Sequence, residues 1–255
     1  MSAISILTLI LAGLMLLVGG KAGLTAFFSA VFNFVILFIT VILITGGLPP
    51  VWVAFFAGVC ILAITIYMGN KDEKTANIAF KATLIVLIVM LILIIPLDHF
   101  AQIKGFANEQ SEEIEAFDLL VGVNFEQLII ATTVLSTLGA IAEAAIAVAS
   151  GLNELIEQRP TITLPEVFKS GKTIGFQIMG MTFNTLFFGM FGSDLALFIL
   201  LYKLEAGFSY YLNSKIFVKE CLAVLYSAIA VILVIWITTY LVGKKLNEKR
   251  AQIDK

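Results

Sequence analysis

Apolar residues in this chain come in nearly unbroken runs. A helix needs about 20 such residues to cross ~30 Å of hydrocarbon. Runs of that kind fall at 4–20, 24–46, 51–69, 77–97, 128–152, 174–201 and 216–243. The pattern predicts an all-α, polytopic transmembrane helix bundle with about seven spans, forming a single integral membrane domain over residues 1–255. The first run has no basic leader in Met1-Ser2-Ala3 and no clear small-residue cleavage site, so it reads as a helix and not as a signal peptide. Gly46-Gly47-Leu48-Pro49-Pro50 breaks two helices within one connection and predicts a hairpin. The sixth run holds 28 residues, more than an upright span requires. Either that helix tilts, or it breaks around Gly189, Gly192 and Asp194, or it ends near Phe191 before a re-entrant segment.

Composition agrees with the pattern. Apolar residues make up 60% of the chain and charged ones 13%, where roughly 25% charged is usual for soluble domains; the mean hydropathy is +1.03. The expected location is the cell membrane, with the lipid bilayer as the first partner. No basic cluster could follow a phosphate backbone, which argues against nucleic acid. A lone His99 and two separated cysteines, Cys60 and Cys221, build neither a zinc site nor a disulfide framework, and no cofactor is expected. Ser170-Gly171-Lys172-Thr173 resembles the end of a phosphate loop, but Glu166 stands where that loop needs its first glycine.

Basic residues set the orientation. With the C-terminus inside, twelve Lys and Arg face the cytoplasm and four (Lys104, Lys203, Lys215 and Lys219) face outward. Seven spans then put the N-terminus outside. The connection 98–127 becomes an acidic external loop, carrying Asp98, Glu109, Glu112, Glu113, Glu115, Asp118 and Glu126 against Lys104 alone. A solvated loop kept soluble by its charge is the plain reading, and a vestibule that concentrates cations is the functional one.

Polar groups within the spans carry more information. Glu143 lies about ten residues, or ~15 Å, from the inner end of the fifth span. An acid at that depth costs roughly 2.5–3.5 kcal/mol to insert, so it is expected to face protein or water. Ser136, Gly139, Ala140, Glu143, Ala147, Ser150 and Glu154 recur at helical spacing and form one small and polar stripe, expected to pack against another helix. In the sixth span, Thr173, Gln177, Gly180 and Asn184 share a face, and Asn184 reaches the same depth as Glu143. Antiparallel neighbours would bring Glu143 within hydrogen-bond reach of Asn184 or Thr185. The bland alternative is a neutral acid that makes one interhelical hydrogen bond.

The segment from Leu138 through Glu143 and Ser150 to Asn153-Glu154, followed by Ser170-Gly171, Gly175, Gln177, Gly180 and Asn184-Thr185-Leu186, resembles the signature of the bacterial YibE/F-like multi-pass membrane family. The resemblance covers roughly residues 20 to 240. It implies the shorter, YibF-like of two related proteins and therefore a related YibE-like membrane subunit as partner, with a homo-oligomer as the other arrangement. The family pattern usually has Asp where Glu143 stands, and Arg-Asp where this chain has Phe176-Gln177. A second acid, if the family needs one, would come from the partner.

Two functions are compatible with these residues. One is a permease or exporter subunit, coupled to protons or cations at Glu143, with Gln177, Asn184, Thr185, Ser150 and Asn153 around it and Gly139, Gly180 and Gly189 as helix-packing positions; its cargo would be a small solute or ion. The other is a non-transporting scaffold or regulatory subunit. An enzyme is not expected, because HExxH, GxSxG and paired-aspartate motifs are all missing.

Overall fold

The structure, a computed structural model, describes residues 3–70, 72–101, 124–203 and 207–253. Among the described residues the chain is helical, with no strand: α1 (Ala3–Thr45), α2 (Pro50–Gly69), α3 (Glu73–Ala101), α4 (Phe125–Gln158), α5 (Leu164–Ser193), α6 (Leu195–Lys203), α7 (Phe208–Asn213) and α8 (Lys215–Ile253). Six of these, α1 to α5 and α8, are long and apolar enough to cross a membrane.

The longest of them is not one span. Helix α1 leaves helical geometry at Gly20, at φ 55° and ψ −135°, a backbone conformation open chiefly to glycine. There the chain doubles back, since a Cβ on Gly23 would run into the Met15 carbonyl, a group about 12 Å away in a straight helix. Its two limbs correspond to the first two apolar runs of the sequence. The turn after α1 is the expected hairpin: Gly47 sits at φ 91°, the Leu48 N–H donates to the Leu43 carbonyl at 3.2 Å, and Pro49 and Pro50 begin α2.

Helix α4 is the axis of the bundle, touching α2, α3, α5 and α8, while α1 packs against α2 and α5 leans mainly on α8. Alanines make this closeness feasible. Ala140, Ala142, Ala144, Ala145 and Ala149 of α4 are buried against Leu87, Met90 and Ile94 of α3 and Ala230, Val231 and Val234 of α8 within one apolar core. Several buried hydroxyls are satisfied inside their own helices, as where Thr137 donates to the Val134 carbonyl at 2.7 Å and Thr239 to the Ile235 carbonyl at 2.8 Å.

One open question closes and one expectation changes. Of the alternatives for the sixth run, the break is the one found: helix α5 continues past Gly189 and Gly192 to Ser193, and the interruption falls at Asp194 (φ −103°, ψ 11°) before the short α6. The acidic connection is shorter than 98–127, because α3 extends through Asp98 to Ala101 and α4 starts at Phe125, with Asn124 accepting from the Gln127 N–H at 3.2 Å. Glu109, Glu112, Glu113, Glu115 and Asp118 lie outside the described residues.

Candidate functional site

Helix α4 is covered on every side but one. Ile141, Ala142, Ala144, Ala145, Val148 and Ala149 are buried, whereas Thr132, Ser136, Gly139, Glu143, Ser150 and Glu154 are exposed and Ala147 is half-buried. At 100° per residue these open positions fall on one line. Apart from Ala140, which is buried, the most enclosed helix thus presents its small and polar stripe outward, and no helix among the described residues covers it. Among the described residues the Glu143 carboxylate accepts no hydrogen bond.

Register with α5 comes from Gly151, where a Cβ would stand 3.1 Å from Ile174 Cδ1. Moving from that contact toward the N-terminus of α4 and the C-terminus of α5, two right-handed antiparallel helices bring Gln177 and Asn184 to the same open side as Glu143. All three are exposed. They share a face without bonding: no hydrogen bond joins Glu143 to Asn184 or Thr185, and the Thr185 hydroxyl donates to its own helix, to the Met181 carbonyl at 3.0 Å. The contact expected between the fifth and sixth spans is therefore not made within the chain.

The physical reason lies on the other edge of α5. A Cβ on Gly171 would collide with the Thr239 side chain, and one on Gly175 with Ile235, so α5 sits as close to α8 as its backbone permits. Gly171 and Gly175 form a small-xxx-small pair, a signal visible in the sequence that points to the true packing glycines. Beside Gly139, Gly180 and Gly189, by contrast, a Cβ would meet nothing within 4 Å.

Asn153 has a structural partner. Its amide donates to the Thr75 hydroxyl of α3 at 2.7 Å. Thr75 in turn donates to the Asp72 carboxylate, which also accepts the backbone N–H of Thr75 at 3.0 Å and of Lys74 at 3.2 Å. Ser150, one turn earlier on α4, stays on the open stripe.

A second intramembrane acid emerges at the opposite end. Asp98 and Tyr226 are 5% and 3% exposed, and the Tyr226 hydroxyl donates to Asp98 Oδ1 at 2.9 Å. Among the described residues Asp98 Oδ2 is buried without a partner. Beside this pair, His99 Nδ1 lies 2.8 Å from Glu126 Oε1. Reading Asp98 as the first residue of a solvated loop missed it; a tyrosine inside the apolar stretch of α8, Tyr226, was the available cue. Among the described residues no three His, Cys, Asp or Glu side chains gather as a metal site would require.

An axial helix with one polar stripe, wrapped by apolar spans, defines a multi-pass membrane protein of the helical-bundle class. Its sequence matches the YibE/F-like protein family over residues 7–248, and the chain belongs to that family. Searches of curated proteins and of solved structures return no match.

Proposed function

We propose that this chain is the shorter, YibF-like subunit of a heteromeric permease or exporter, in which Glu143 carries a proton or a cation and a related multi-pass subunit covers the open face of α4. One observation carries this reading: an acid near mid-bilayer depth stands on a polar stripe that is uncovered, and without a hydrogen-bond partner, among the described residues. Lipid is a poor neighbour for such a group. Protonation, a cation, or donors on a second subunit would each lower the cost, and a change among them could drive helix rearrangement. Gln177, Asn184 and Thr185 flank the same face and would complete the site with the partner. The excess of Lys and Arg near the Arg159 end supports a cytoplasmic C-terminus and an external N-terminus. No covalent chemistry is assigned to the chain.

The test uses two measurements. Cysteines replacing Ser136 or Ser150 should crosslink to the co-purified related subunit, whereas cysteines replacing Phe176 or Trp236 should not. Proteoliposomes of the complex should relax an imposed pH gradient, and Glu143→Gln should abolish the flux with crosslinking intact. Unchanged flux with normal assembly would favour the scaffold reading, which the small residues of the stripe also support. Failure of the stripe cysteines to crosslink would remove the partner from this face.

A further inference from the structure

We propose that the groove between α5 and α8 is a binding site for an anionic phospholipid, with acyl chains along Phe176, Met179, Ile232 and Trp236 and the phosphate at Lys169 and Lys172. The groove encloses about 500 Å³ and opens on the edge of α5 away from its polar face. Its floor is set by Gly175 and Thr239, where α5 lies against α8. Apart from the two lysines its walls are almost wholly apolar, so it has the character of the surrounding hydrocarbon along most of its length.

The lysines break that uniformity at one end only. Gly171 faces Thr239 and Gly175 faces Ile235, so Lys169 and Lys172 fall toward the Arg159 end and Met179 lies about 10 Å deeper. Lys172 Nζ stands 5.6 Å from the centroid of the Phe176 ring, a cation–π contact that holds its charge beside the apolar wall. Neither ammonium is ion-paired with a carboxylate among the described residues. Two unpaired cations at the mouth of an apolar slot match an amphiphile with a negative head. A partner helix crossing at this depth would have to set acidic side chains against them at the membrane boundary, whereas a lipid phosphate arrives at that depth by itself.

Trp236, 64% exposed on the groove wall, gives a direct probe, because Trp52 is the one other tryptophan. The full chain carrying Trp52→Phe is reconstituted in vesicles of phosphatidylcholine and phosphatidylglycerol, with one lipid at a time brominated in its acyl chains to quench Trp236. The anionic lipid should associate about fivefold more strongly per engaged lysine. That preference should fall close to unity in Lys169→Gln/Lys172→Gln and persist in Lys244→Gln/Lys245→Gln. Free glycerophosphate should leave the quenching unchanged, which separates a lipid site from a phosphate site. Equal quenching by both lipids, or equal loss in both double variants, would reduce the effect to ordinary boundary lipid and overturn the proposal. Trp236 that neither lipid quenches would mean that protein covers the groove, with the same consequence. None of these outcomes depends on Glu143 or on a partner at α4.

Discussion

Asn153 of α4 and Thr75 of α3 are joined by a 2.7 Å hydrogen bond, and that bond ties the axial helix to the cap of its neighbour. Thr75 is buried and its hydroxyl passes the interaction on to Asp72. Polar side chains between membrane helices typically contribute about 0.6 kcal/mol, with maxima near 1.7. Asn153→Ala should therefore destabilise the chain by about 1 kcal/mol in an SDS-unfolding titration. Combined with Thr75→Val it should cost less than the two single changes added. Strict additivity would mean that the bond contributes nothing.

Asp72 supplies a pH dependence at the same place. The Thr75 hydroxyl, followed by the N–H groups of Thr75 and Lys74 and the Lys74 charge, holds its carboxyl below the usual carboxylate range. A depressed folded value stabilises above the unfolded pKa, about 3.9, and the contribution is lost as pH falls through the folded value. Asp72→Asn should keep an adequate cap at pH 7 and flatten the decline of stability below about pH 4. Parallel acid-unfolding curves for both proteins would reject the coupling.

The helices were legible in the sequence because length and hydropathy alone decide whether a segment crosses a bilayer. Even the doubling of α1 at Gly20 was written as two apolar runs around Gly19-Gly20-Lys21. The stripe through Glu143 was legible too, since helical spacing defines it. What covers a stripe is a tertiary question. Gly171 and Gly175 draw α5 toward α8, leaving Glu143 and Asn184 on one open face without a hydrogen bond between them. Asp98 was obscured for a similar reason: an acid at the end of an apolar run looks solvated until Tyr226, far away in sequence, closes over it.

Glycine substitutions separate the two kinds of position. Gly171→Ala would drive a methyl into Thr239, which cannot swing aside without losing its 2.8 Å bond to the Ile235 carbonyl. A cost of about 1–3 kcal/mol is expected. Gly139→Ala and Gly180→Ala enter open space and should stabilise the isolated subunit by about 0.5–1 kcal/mol through helix propensity. If α4 meets a partner, Gly139→Ala should nevertheless weaken co-purification of that partner. Thermal unfolding of the isolated chain and pull-down yield give the two readouts, and a destabilising Gly139→Ala in the isolated chain would contradict the open face.

Asp98 of α3 and Tyr226 of α8 form a buried polar pair. The phenol is the one hydrogen-bond donor to this carboxyl among the described residues, and the second carboxyl oxygen is already unpartnered. Removing one member of a buried pair leaves the other desolvated, which costs about 1–3 kcal/mol and more when the group is charged, whereas replacing both by apolar groups is often close to neutral. Tyr226→Phe should thus destabilise the chain by at least about 1 kcal/mol, while Asp98→Asn, whose amide oxygen still accepts from the phenol, should cost less. Adding Asp98→Leu to Tyr226→Phe should recover most of the loss, a non-additivity readable in the same unfolding titration. A Tyr226→Phe chain as stable as the parent would show that the bond does not hold α3 to α8, and the apolar contacts around Ile94 and Ala230 would then carry that interface alone.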